Sequence, residues 1–293
     1  MAGYFVAVGT IGGIYALLAL GLSLQYGFTG LINFGVVALY ATGAYVSALL
    51  SMQGVPIAVA MASGALLAAI CAWPLGVICL RLRDDYLAIV TLAFAEIVRT
   101  VIISEDWLTA GPRGLPGIPR PFASMTSDDA GLAYLILVAA AVACAMAVTA
   151  GLVRSPFGRL IRAIRDDEDA VRSIGKSPAR SKLIVFMIGA GMTGLAGALY
   201  AHYLTYISPD QFVPLLTFYV WIAVIMGGAG RIGGALAGAA LLTLFLEGSR
   251  FLRDILPFIP EVQMASLRLA VIGLALILFT IYRPEGLLGR SNQ

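Results

Sequence analysis

Ionisable side chains are scarce in the apolar parts of this sequence, so each one that falls there invites a chemical reading. Glu96 and Arg99 lie three residues apart in an apolar run, a spacing that puts both on one helical face. Charge in lipid is costly unless paired. The two therefore form either a structural pair near a membrane boundary or a polar element of a path across it. His202 is the only histidine. An imidazole can relay protons, but near the end of an apolar run it reads as a satisfied or interfacial side chain. Cys71, Cys79 and Cys144 sit in apolar runs at no disulfide or zinc spacing and read as small buried hydrophobes. No carboxylate pair, metal-ligand cluster or Ser/His/Asp set stands out, and catalysis by this chain has no support.

One stretch imitates a nucleotide site. Ala170-x-x-x-x-Gly175-Lys176-Ser177 has the outline of a phosphate-binding loop with Ala at the first glycine. Such a loop needs a buried strand before it and a helix opening at the Lys-Ser. Here Arg165-Asp166-Asp167-Glu168-Asp169 precedes it and Pro178 follows at once. The nucleotide reading is rejected. If ATP is used, another subunit supplies the site.

The elements that must position these residues belong to a membrane. Of 293 residues, 60% are hydrophobic and 12% charged, whereas a soluble domain carries about 25% charged residues. Lipid is the solvent that fits. The net charge of +3 points to no nucleic acid. The start, Met1-Ala2-Gly3-Tyr4, lacks the basic stretch of a signal peptide, and the first apolar run is too long for one. It reads as a retained span. Spans are predicted at 4–26, 31–52, 57–80, 86–104, 131–153, 183–207 and 263–282. Shorter runs at 214–228 and 233–248 make two short spans or a re-entrant pair. The fold class is thus all-α: a polytopic transmembrane bundle of about 8–9 spans with broken or re-entrant helices, and a single domain over 1–293.

Basic residues mark the cytoplasmic side. The segment 154–182 holds Arg154, Arg159, Arg162, Arg165, Arg172, Lys176, Arg180 and Lys182, and Arg81, Arg83, Arg283 and Arg290 fall on the same side when spans are counted. Loop 105–130, rich in turn formers, falls outside. The C-terminus comes out cytoplasmic, and the N-terminus lies on the far side unless 31–52 is broken. Within 154–182, Leu160, Ile161, Ile164, Val171 and Ile174 suggest an amphipathic helix, fit to dock a soluble partner or to lie on the membrane surface. Gly230, Gly234 and Gly238 recur every four residues, as do Gly189, Thr193 and Gly197, a spacing suited to close helix packing in lipid. Gly27-Phe28-Thr29-Gly30 and Gly227-Gly228-Ala229-Gly230 interrupt apolar sequence, one in each half. Such breaks often line a transport path.

Four stretches point to a family: Tyr26-Gly27-Phe28-Thr29-Gly30-Leu31-Ile32-Asn33-Phe34-Gly35, continuing through Tyr40 to Tyr45; Tyr86 through Ile97; Ser155 through Gly175; and Arg283-Pro284-Glu285-Gly286-Leu287-Leu288-Gly289. Together they resemble the LivM-type permease subunits of branched-chain amino-acid ABC importers, over nearly the whole chain. Permeases of this kind carry a cytoplasmic Glu-Ala-Ala-x-x-x-Gly coupling motif. Asp169-Ala170-Val171-x-x-x-Gly175 is similar to it, with Asp for Glu and Val for the second Ala. The resemblance implies a second, LivH-type permease, two ATP-binding subunits that hold ATP and Mg, and an external solute-binding protein, all at the bacterial inner membrane. It implies that the cytoplasmic segment couples to the ATP-binding subunits through Arg162, Arg165, Asp169, Ala170, Val171 and Gly175, while the two breaks and the in-span acid suggest a path past Thr29, Asn33, Glu96, Gly227 and Gly228. This chain would bind no cofactor of its own and contact membrane lipid. Relatives also carry urea, short amides or aromatic acids, so the substrate stays open; an ion-coupled secondary transporter is the alternative mechanism.

Overall fold

The computed structural model describes residues 2–79, 84–123 and 125–255, with 270, 273, 274, 277, 286 and 287. The predicted span 263–282 and the stretch 283–289, apart from those single positions, lie outside the described residues. So do Arg81, Arg83, Arg283 and Arg290.

Helices follow the apolar runs, because a backbone in lipid must satisfy its own polar groups. In chain order they are α1 (Ala2–Leu22), α2 (Val36–Met52), α3 (Ile57–Cys79), α4 (Asp84–Ser104), α5 (Asp106–Thr109), α6 (Ser127–Arg154), α7 (Pro156–Asp166), α8 (Glu168–Ser173), α9 (Pro178–Leu204), α10 (Pro214–Gly227) and α11 (Ile232–Ile255). Six helical segments among the described residues are long and apolar enough to cross a membrane, and 36–52 and 232–248 are shorter apolar helices. The short runs at 214–228 and 233–248 are resolved as two antiparallel helices. A Cβ on Gly227 would strike the Gly234 carbonyl, and one on Gly238 the Ala223 carbonyl. The small-residue spacing is what lets α10 and α11 touch backbone to backbone.

Helix α9 is the centre of the bundle and packs against α1, α2 and α3. Gly194 and Gly197 make this possible. A side chain at either would run into Ala68 of α3 or the Tyr40 carbonyl of α2. Around this centre α3, α4 and α6 turn apolar faces outward, with Leu66, Ile70, Trp73, Ile89 and Ile136 at least half exposed.

The two ends of the bundle differ. At one end Leu115–Pro116 pairs antiparallel with Tyr206–Ile207. There the His202 ring bridges α2 and the loop, with Nε2 2.9 Å from Ser47 Oγ and Nδ1 2.8 Å from the Pro119 carbonyl. A carbonyl only accepts, so Nδ1 carries hydrogen and Nε2 is left to accept from the serine. This histidine is fully buried and satisfied. At the other end lie α7, α8 and both glycine breaks. The basic residues of 154–182 gather there, and the positive-inside rule assigns that end to the cytoplasm.

Candidate functional site

The first glycine break is an unwound crossing built around one amide. Helix α1 runs into a π-helical turn at Ser23–Gly27, and 30–35 is non-helical before α2 begins at Val36. The span predicted at 31–52 is therefore shorter than expected. Gly30 takes φ of 75°, a left-handed conformation that favours glycine. The unwinding frees backbone groups that lipid cannot solvate, and neighbouring side chains take them up. Gln25, 1% exposed, donates from Nε2 to the Phe186 carbonyl of α9 (3.0 Å) and accepts at Oε1 from Asn33 Nδ2 (2.8 Å). Asn33 Oδ1 accepts from Gly35 N (2.7 Å), and its carbonyl accepts from Trp221 Nε1 of α10 (3.0 Å). Thr91 of α4 accepts from Phe34 N at 2.9 Å, and Thr217 of α10 accepts from Val37 N at 3.2 Å. Thr29 gives its hydroxyl to the Gln25 carbonyl.

Thr29 and Asn33 thus sit together in the crossing, both buried, with their polar atoms engaged in holding its shape. Glu96 is elsewhere, on the exposed face of α4, 3.8 Å from Arg99. Gln25 escaped the sequence reading. Its signal was a lone amide one residue from the end of the first predicted span, 4–26.

The second break meets the first. A Cβ on Gly27 would collide with the backbone of Gly230, and one on Gly286 with Gly228. Gly228 and Gly230 have φ of 104° and 81°, and Leu287 N donates to the Met226 carbonyl at 2.9 Å. Gly227 and Gly228 therefore lie with Gly27 and the chain near 286–287 in one junction at the cytoplasmic end.

Arg165 reaches that junction from outside. Its Nη1 donates to the Gly27 carbonyl at 2.5 Å and packs beside Gly230. The segment that carries it folds as two helices rather than one amphipathic helix. Ser155 caps α7 with Pro156 at its first turn, and Asp167 caps α8, its side chain accepting from Ala170 N at 2.9 Å. A capping aspartate in extended conformation breaks the helix there. Arg162 donates to the Gly158 and Val153 carbonyls (3.1 and 3.0 Å), which stiffens the corner between α6 and α7. Glu168 joins Arg172 and Lys182 at 2.7 and 2.6 Å, tying α8 to the base of α9. Ile161, Ile164 and Val171 face the bundle, whereas Ile174 is 70% exposed. Gly175 has φ of 77°. Gly175 N and Lys176 N donate back to the Arg172 and Val171 carbonyls, the paired bonds of a Schellman cap. Asp169 and Ala170 are left exposed beside Ile174.

A family model described as branched-chain amino acid transport system / permease component matches residues 4–280. The chain belongs to this permease family. It is 36% identical to the high-affinity branched-chain amino acid transport system permease protein LivM of Escherichia coli (strain K12), over 97% of this chain and 69% of that protein. It is 24% identical to a probable LivM of Methanocaldococcus jannaschii, over 94% of this chain and 90% of the relative. The LivH permease of Escherichia coli (strain K12) is 26% identical over 97% and 94% of the two chains. No solved structure matches. As a permease of this family, the chain is a multi-pass membrane protein of a transport system.

Proposed function

We propose that this chain is one permease subunit of an ATP-driven importer for branched-chain or other small amino acids, in the bacterial inner membrane. A LivH-type permease pairs with it, two ATP-binding subunits hold ATP and Mg below it, and an external binding protein delivers solute above it. The chain binds no cofactor of its own. The reading is supported above all by Arg165, a cytoplasmic side chain that bonds the junction where two broken helices meet.

The mechanism follows from stiffness and its absence. The corner held by Arg162 and the clamp of Glu168 on Lys182 make α7 and α8 a rigid lever. Exposed Asp169, Ala170 and Ile174 offer a surface for an ATP-binding subunit. When that subunit closes, the lever moves and Arg165 pulls on the Gly27 carbonyl. The unwound residues beyond it have no helical ladder to resist, so displacement concentrates in 30–35 and 228–231. Access then alternates between the two sides.

The test is reconstitution of both permeases, the two ATP-binding subunits and the binding protein in proteoliposomes with a panel of aliphatic amino acids, urea, amides and aromatic acids. ATP-dependent uptake of the aliphatic amino acids is expected. Uptake that persists without ATP when an ion gradient is held sinks the reading. Asp169→Lys and Gly175→Trp are expected to insert normally and lose substrate-stimulated ATP hydrolysis.

A further inference from the structure

The outer third of α4 carries charge on a partly covered face, where the turn at Pro209–Gln211 meets it. Arg99 lies five residues from the end of α4, about 8 Å along the axis. Its guanidinium sits 3.8 Å from Glu96 and 3.7 Å from Asp210, and it makes no hydrogen bond among the described residues. Its Nε is buried without a partner, as are the Tyr45 hydroxyl and Gln211 Oε1. Tyr45 is 3% exposed, with the Asp210 carboxylate in electrostatic reach. Side-chain exposure is 28% for Arg99, 47% for Glu96 and 86% for Asp210, so the cluster opens outward. Leu92 and Ile103, four residues from Glu96 and Arg99 respectively, share the face and are half-buried.

A guanidinium offers five N–H donors in a planar fork suited to a carboxylate. Here two carboxylates stand at the fork's sides, too distant to fill it. The buried Arg99 Nε, Tyr45 hydroxyl and Gln211 Oε1 are left short of partners, at a cost. A simple anion would meet two negative neighbours, and a simple cation would leave the fork empty. A molecule with both charges a few ångströms apart answers each.

We propose that Arg99, Glu96 and Asp210 form a transit site for a zwitterionic α-amino acid at the outer approach to the path. Arg99 takes the carboxylate, Glu96 and Asp210 take the ammonium, and Leu92 and Ile103 face the aliphatic side chain. The site rests on the importer reading above and adds a place where this subunit itself touches substrate.

The experiment uses the complete transporter in nanodiscs without the external binding protein, with radiolabelled leucine as probe. Two competitors carry the same side chain but lack one charge, 4-methylpentanoate and 3-methylbutylamine. Wild type is expected to bind leucine saturably and to resist both competitors. Arg99→Gln is expected to weaken leucine binding by about tenfold and to let the amine compete as well as leucine, a change in selectivity that a merely structural role would not produce. Arg99→Lys should recover part of the affinity. Asp210→Asn, at an exposed position, should weaken binding even if Arg99→Gln does not assemble. The site is overturned if leucine binding is unchanged in Asp210→Asn and in any Arg99→Gln protein that assembles, or if wild type imports leucine yet shows no saturable binding here; the importer reading survives both. A wild-type transporter that moves no amino acid removes the importer reading and the site together.

Discussion

Gln25 illustrates how single side chains hold an irregular backbone inside a membrane. Its amide joins α9 to the unwound crossing through Phe186 and Asn33. Gln25→Leu keeps the volume and removes both bonds, which leaves the Asn33 amide and a carbonyl short of partners. An unsatisfied buried group costs about 1–3 kcal/mol. The variant is expected to lower the unfolding temperature in detergent, and an unchanged melting curve would show that the network is dispensable. Gly175 tests a different property. Nothing crowds its Cβ position, and only its left-handed φ restricts substitution. Gly175→Ala should cost about 1 kcal/mol and weaken capture of the ATP-binding subunits in pull-downs, while Gly175→Asn, which tolerates this conformation, should behave close to wild type.

At the scale of elements, the junction of two broken helices is where rigid parts hand motion to soft ones. Gly27→Val would drive a side chain into the Gly230 backbone, and backbone cannot move aside as a flexible side chain can. Separation of the two breaks is the expected result, read as loss of assembled transporter on size exclusion. Arg165→Ala leaves the helix backbones in place and removes the bond to Gly27 together with the contact beside Gly230. This variant should assemble, hydrolyse ATP at its basal rate and lose stimulation by the liganded binding protein. Stimulation equal to wild type would mean that the lever acts through another contact.

For the whole molecule, the end that carries α7 and α8 is assigned to the cytoplasm by its basic residues. Ile174 and Trp107 are 70% and 81% exposed at opposite ends. In a background without native cysteines, Ile174→Cys should react with an impermeant maleimide only from the cytoplasmic side, and Trp107→Cys only from the other. Labelling of both from one side would invert or break the topology.

Much of the architecture could be read directly from residue order. Apolar runs of near-constant length, the clustering of Arg and Lys in 154–182, and glycine-interrupted segments in both halves depend only on local composition, and lipid rewards such patterns wherever they occur. Asp169 to Gly175 stood out only by its resemblance to a coupling motif, and the short helix and glycine cap found there are local events. What needed the tertiary structure were the meetings. That Gly27 lies against Gly230, that Arg165 bonds a carbonyl 138 positions away in sequence, and that Arg99 faces Asp210 follow from how helices stack around α9. Periodicity along one helix cannot encode those partners. Gln25 stayed hidden because one amide in an apolar run has no pattern, and its role exists only where α9 brings the Phe186 carbonyl within reach.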